Sequence, residues 1–144
     1  MSLPDEKDAR REYGEELRSR REFASVMTLI EALLGENGCP WDRDRKLQDC
    51  PKYLEGELDE VIEAIASGDD ANLEEELGDL LFMVAFTMKV AEKEGRLSPE
   101  SVYGRILNKM VHRHPHVFGG EMVAETPGEV LDNWDKLKEQ EKAK

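Results

Sequence analysis

The chain has 144 residues, one domain's worth at roughly 100–200 residues per domain, and its 33 acidic and 20 basic side chains leave it at −13. That balance argues against nucleic-acid binding through a broad basic surface and against docking on anionic lipid. At 39% hydrophobic, 37% charged and 6% aromatic, the composition fits a soluble helical protein and excludes a β-sandwich or membrane protein.

The charge is unevenly placed. Residues 1–46 carry 11 acids and 9 bases, and residues 83–144 carry 10 of each. Residues 47–82 carry 12 acids and a single base, Lys52, so −11 of the −13 falls in 36 residues. Two cysteines, Cys39 and Cys50, are too few for a disulfide scaffold or a self-contained zinc site and read as free thiols. The N-terminus lacks the apolar core of a signal peptide, and no run reaches the ~18 apolar residues of a membrane span. A cytoplasmic location is expected.

In chain order, residues 1–21 are a charged helical lead-in and residues 22–144 the domain proper. Phe23, Val26, Met27, Ile30, Leu33 and Leu34 follow helical spacing, and Gly35 ends that helix. Residues 35–51 read as a loop, with Gly, Asn and two prolines around Trp41. A second helix runs from about Pro51 to Ala66, with Leu54, Leu58, Val61, Ile62 and Ile65 as its stripe and Gly68 as its stop. Asn72 and Glu75 form a capping box for a third helix reaching about Glu94, striped by Leu73, Leu77, Leu80, Leu81, Val84, Met88 and Ala91. Ser98-Pro99 opens a fourth helix through Val102, Ile106 and Met110. Residues 112–120 are a loop, because Pro115 disfavours helix at His114. Thr126 and Glu129 cap a last helix carrying Val130, Leu131, Trp134 and Leu137. No strand alternation appears, so the expected fold is all-α, an antiparallel bundle of four to five helices.

Helices two and three correspond. A shift of 19 residues lays Leu54 on Leu73, Leu58 on Leu77 and Val61 on Leu80, and it also lays Glu57 on Glu76 and Glu60 on Asp79. At ~100° per residue the two acidic pairs occupy the same flank of their stripes. A short turn near residue 69 makes the helices antiparallel, so Glu60 lies level with Gly78 and Asp79, and all four carboxylates fall within about one turn. Gly78 is expected to allow a close approach there. Four such carboxylates repel unless a cation joins them, and oxygen ligands without Cys or His favour Mg²⁺ or Mn²⁺ over zinc. Carboxylate-held magnesium is typical of phosphate chemistry, and a metal-bridged triphosphate reconciles an anionic protein with an anionic substrate.

These residues sit in segments that resemble a known family. NGCPWD (37–42), GELDEVIEAI (56–65), LEEELGDLLF (73–82), KMVHRHPHVFG (109–119) and NWDKLKEQEK (133–142) together look like a MazG-type nucleoside triphosphate pyrophosphohydrolase. That family belongs to the all-α superfamily that includes dimeric dUTPases and phosphoribosyl-ATP pyrophosphohydrolase. Its pattern E-E-x-x-E, then E-x-x-D, implies Glu57, Glu60, Glu76 and Asp79 as Mg²⁺ ligands, with Gly56 standing where the first acid would be. The resemblance implies hydrolysis between the α and β phosphates to a nucleoside monophosphate and pyrophosphate, with Glu57 or Glu60 orienting or deprotonating the attacking water. It also implies nucleotide binding by Trp134 and Lys138, which at four residues apart share one helix face. A dedicated dUTP/dCTP or phosphoribosyl-ATP hydrolase is the neighbouring alternative, and a non-catalytic acidic helical dimer that binds a partner is the other. A di-iron bundle is excluded, because neither acidic helix carries His.

Lys109 and Arg113, one turn apart, are candidates to grip phosphates. His112, His114 and His116 alternate in a proline-broken loop and suit packing or hydrogen bonding better than metal binding. Trp41 suits base stacking or burial as a loop anchor. Phe82 and Met83 lie off the main stripe and are expected to face a second subunit in a homodimer or a pair of dimers.

Overall fold

The computed structural model describes residues 6–119 and 122–143; residues 1–5 of the lead-in, Gly120 of the histidine loop, Glu121 and Lys144 lie outside the described residues. Among the described residues the regular elements are all helical: α1 (Glu6–Ser19), α2 (Phe23–Leu34), α3 (Pro40–Arg43), α4 (Cys50–Ser67), α5 (Asp70–Lys93), α6 (Pro99–Arg113) and α7 (Pro127–Lys142). The all-α expectation holds. The five helices read from periodicity are α2, α4, α5, α6 and α7. Besides these stand α1, the charged lead-in also expected to be helical, and α3, one turn that Pro40 starts inside the expected loop. A 3-10 turn, Leu47–Asp49, leads into α4.

The chain divides into two compact units at Ser98 and Pro99. The first is built on the α4–α5 pair. Gly68 closes α4 with φ of 70°, a left-handed conformation that glycine adopts without strain. The reversal is completed by Asp69, whose side chain accepts from the Asn72 backbone N–H at 3.2 Å. Asp69, not Asn72, is therefore the cap, and α5 starts three residues earlier than the capping-box reading places it. Beside this pair, α2 lies against α5, and Lys89 bridges Glu31 at 3.1 Å and Glu92 at 2.6 Å.

The core of this unit includes Ile30, Val61, Ala64, Met83, Ala85, Phe86, Val90 and Ala91. Ile30 alone, fully buried, contributes about 1.5–3 kcal/mol. Much of the expected stripe is elsewhere. Leu58, Ile62 and Ile65 on α4, and Leu77, Leu81 and Val84 on α5, are all exposed. Met83 is buried and Phe82 half-buried, so the residues expected to face a second subunit pack inside, and the stripe expected inside faces outward. Ala64 and Ala85 are both fully buried, on flanks that a count of large apolar side chains does not mark.

The loop between α2 and α4 is tied at several points. Cys39 N–H donates to the Leu33 carbonyl at 2.8 Å, Leu47 N–H to Glu94 at 2.6 Å, and Lys93 Nζ to the Arg43 carbonyl at 3.1 Å. Gly38 is sterically required: a Cβ there would lie 2.1 Å from the Leu33 carbonyl oxygen. Cys39 and Cys50 are both free thiols, and burial pushes the Cys50 thiol up.

In the second unit, α6 extends through His112 and Arg113, two residues into the expected loop, and stops before Pro115. Thr126 caps α7 by accepting from Glu129 N–H at 3.2 Å, and Glu129 returns the bond by accepting from Glu125 N–H at 2.8 Å. Leu137 is buried, whereas Ile106 and Leu131 remain exposed. No described helix is long and apolar enough to cross a membrane.

Candidate functional site

Glu57 and Glu60 stand one turn apart on α4, and Glu76 and Asp79 do the same on α5. The antiparallel pairing brings one ligand oxygen from each to within 4.8 Å of the others. Glu57 and Glu76 are half-buried, with Glu60 and Asp79 on the open side. Oε2 of Glu57 and Oε2 of Glu76 are buried and accept no hydrogen bond. A buried carboxylate oxygen left without a donor costs about 1–3 kcal/mol or more, so two side by side need a cation or a proton.

The protonation chemistry agrees. A hydrogen bond shared with Glu60, then burial and the nearby charges of Glu60, Asp79 and Glu75, push Glu76 up to about 7. Burial first, then the charges of Asp79 and Glu60, raises Glu57 from its ordinary value. Both shifts express crowded negative charge. An all-oxygen donor set with open-side carboxylates fits a hard divalent cation, and Glu57, Glu60, Glu76 and Asp79 are the residues that would hold it. Gly78 does not act as expected, since a Cβ there would meet nothing within 4 Å and no close helix approach depends on it. Gly56 is equally open.

Beside the cluster lies a cavity of about 200 Å³ lined by Trp41, Tyr53, Glu57, Asp79, Phe82 and Phe86, among others. Trp41 is 53% exposed, so it is no buried anchor. The Tyr53 ring meets it edge-on at 5.8 Å, and the Arg45 guanidinium lies 4.4 Å from its centroid. Sequence reasoning singled out Trp41 and Phe82 but missed Tyr53 and Phe86 and the wall they form together, although its signal was present. Tyr53 lies four residues before Glu57, and Phe82 and Met83 lie three and four after Asp79, all on the acidic flank.

The second unit gathers three of the four predicted substrate residues around Glu141, which sequence reasoning did not single out. Arg113 donates from Nε and Nη2 to the two Glu141 oxygens at 3.3 and 2.8 Å, and its guanidinium lies 5.4 Å from the Trp134 ring centroid. The Arg113 hydrogen bond first, with added charge from Arg113, His112 and Lys109, holds Glu141 below the usual carboxylate range. His114 meets Trp134 edge-on at 5.3 Å and donates from Nδ1 to the Met110 carbonyl at 2.6 Å, a packing and hydrogen-bonding role. Nδ1 of His116 is buried without a partner. Lys109 and Lys138 are exposed.

Comparison with known proteins gives consistent matches. The MazG nucleotide pyrophosphohydrolase domain model matches residues 45–118, about half of the chain. A nucleoside triphosphate pyrophosphohydrolase of Escherichia coli (strain K12) is 40% identical over 119 residues, 82% of this chain and 45% of that protein. The nucleoside triphosphate pyrophosphohydrolase/pyrophosphatase MazG of Thermotoga maritima is 37% identical over 122 residues, 85% of this chain and 46% of that protein. The chain thus spans less than half the length of these relatives. The crystal structure of a mazG-related protein from Thermotoga maritima superposes with a TM-score of 0.70 at 29% identity, covering 79% of this chain and 96% of that one. By sequence over half its length and by fold over most of it, the chain belongs to the MazG nucleotide pyrophosphohydrolase domain family.

Proposed function

We propose that this chain hydrolyses nucleoside triphosphates, ribo- or deoxyribo-, between the α and β phosphates to a nucleoside monophosphate and pyrophosphate, clearing unwanted nucleotides from the pool. The observation that carries this reading is the convergence of four carboxylates with two buried, partnerless oxygens. Mg²⁺, or Mn²⁺ in its place, held by Glu57, Glu60, Glu76 and Asp79, supplies neutralisation of phosphate oxygens and acidification of the attacking water. One of the two carboxylates Glu57 and Glu60 orients that water or accepts its proton.

Lys109, Arg113 and Lys138 supply positive charge to the triphosphate, and Trp134 supplies an aromatic face. Arg113 reaches a phosphate by exchanging its contact with Glu141, an oxygen-for-oxygen trade that keeps the guanidinium paired. A second copy of the chain is the expected partner. Leu58, Ile62 and Ile65 share one face of α4, and Leu77, Leu81 and Val84 share the matching face of α5, all exposed. A homodimer, or a pair of dimers, covers these faces.

The test is a panel of NTPs and dNTPs with Mg²⁺, scored for nucleoside monophosphate and pyrophosphate, with Glu60→Ala as the control. Pyrophosphate release lost in the variant supports the reading. Orthophosphate as the product, or equal rates in the variant, overturns it. Light scattering of the same preparation tests assembly, and a monomer at micromolar concentration rejects the dimer.

A further inference from the structure

We infer that Glu141 is a resident counter-anion of the phosphate-gripping residues. Its carboxylate occupies the Arg113 guanidinium in the resting chain, an incoming phosphate displaces it, and its return to Arg113 helps to expel the product. The inference rests on the nucleotide-hydrolase reading, with Arg113 as a phosphate ligand, and extends it to the residue that sets how strongly substrate and product are held.

Three observations carry it. The first is placement. Trp134, Lys138 and Glu141 fall at i, i+4 and i+7 on α7, so at ~100° per residue they share one face. Lys109, His112 and Arg113, at i, i+3 and i+4, share one face of α6 in the same way. An acid on the face that carries the nucleotide contacts repels a polyanion, and a fixed acid there has no use. An exchangeable one does.

The second observation is the form of the contact. Arg113 donates from Nε to Oε1 of Glu141 and from Nη2 to Oε2, through the edge of the guanidinium that accepts a carboxylate or two phosphate oxygens equally well. His112 Nε2 stands 3.7 Å from the same Oε1. One carboxylate thus stands where the oxygens of a phosphate would be gripped.

The third is exchangeability. Glu141 is exposed in the last turn of α7, so an anion from solvent reaches the pair directly. A carboxylate at that end of a helix is disfavoured by the helix dipole, which leaves Arg113 as its chief support. The Arg113 hydrogen bond first, with the nearby positive groups, keeps its carboxyl below the usual range, so it stays charged and competes at neutral pH. A metal-bound triphosphate offers more oxygens and more charge than one carboxylate and wins the exchange. Every anion that binds through Arg113 bears the same cost, pyrophosphate included, and so the exchange run backwards loosens the product.

The test is calorimetric, using the full chain as wild type, Glu141→Gln, Glu141→Asp, Arg113→Ala and the double variant Glu141→Gln/Arg113→Ala. Each is titrated in Mg²⁺ with inorganic tripolyphosphate and with the α,β-methylene analogue of ATP. Glutamine keeps the length and one accepting oxygen without the charge, so Glu141→Gln should bind both probes about three- to fivefold tighter, by the same factor. Glu141→Asp, charged but one methylene shorter, should fall between the two. In the Arg113→Ala background the gain should vanish. Weaker or unchanged binding in Glu141→Gln, or loss of its fold, overturns the inference, because Glu141 then orients Arg113 or supports the structure. A gain that survives in full without Arg113 also overturns it, since plain repulsion accounts for it. Arg113→Ala binding as tightly as wild type removes the phosphate ligand and the inference with it, and leaves the hydrolase reading to its product assay. If wild type binds neither probe, the hydrolase reading itself fails.

Discussion

Glu57→Gln separates a cation site from an ordinary acidic surface, because the two make opposite predictions in the absence of metal. Two carboxylates 4.8 Å apart repel by about 0.9 kcal/mol at the dielectric of water and about 3.5 kcal/mol at an effective value of 20. Glu57 feels chiefly Asp79 and Glu60, and the open side of the cluster keeps screening near the watery limit. Neutralising it therefore relieves about 1–2 kcal/mol, and the buried Oε2 without a donor adds to the gain. In EDTA the variant should melt about 3–7 °C above wild type. Mg²⁺ at 100 times its dissociation constant stabilises wild type by about 2.7 kcal/mol. A site weakened tenfold gains only about 1.4 kcal/mol at the same concentration, so the magnesium shift should roughly halve in the variant. Differential scanning fluorimetry in EDTA and across a MgCl₂ series measures both. A variant that melts below wild type in EDTA, or that keeps the full magnesium shift, refutes the reasoning.

Further outcomes follow from the same geometry. The metal-free chain should lose stability as pH rises from about 4.5 to about 7, because folded Glu76 holds its proton up to about 7 and Glu57 is raised in the same direction, so the folded state binds more protons than the unfolded one in that window. Saturating Mg²⁺ should flatten or reverse that slope, since the ligands bind it deprotonated; melts at stepped pH with and without Mg²⁺ check both signs. Gly38→Ala should cost about 2–4 kcal/mol, from a Cβ 2.1 Å from the Leu33 carbonyl oxygen and the strained Cys39–Leu33 hydrogen bond, and urea melts give the value directly. Gly56→Ala, mid-helix with no atom within 4 Å of the added Cβ, should stabilise α4 by about 0.5–1 kcal/mol in the same assay.

The four carboxylates were legible in the sequence because everything that assembles them is local. A helical period, a 19-residue correspondence and a two-residue turn at Gly68 and Asp69 suffice to bring Glu57, Glu60, Glu76 and Asp79 together. What the pattern did not reveal is which flank of each helix the chain buries. Leu58, Ile62 and Ile65 formed the conspicuous stripe, but a count of large apolar side chains passes over alanine. Ala64 and Ala85 are fully exposed to this error and fully buried in the structure. Small residues allow two helices to approach closely, so a flank that carries alanines can pack while the bulky stripe stays exposed.

The remaining surprises share a different cause, which is sequence distance. Leu47 N–H finds Glu94 across 47 residues, and Arg113 finds Glu141 across 28. No periodicity records such pairs, because each belongs to the contact between elements and not to the element itself. Their consequence is functional. The first pair, with Lys93, fixes the loop that carries Trp41 beside the carboxylates. The second keeps a guanidinium oriented over Trp134. Charge patterning located the carboxylate cluster, and the long-range polar contacts hold Trp41 and Trp134 in place.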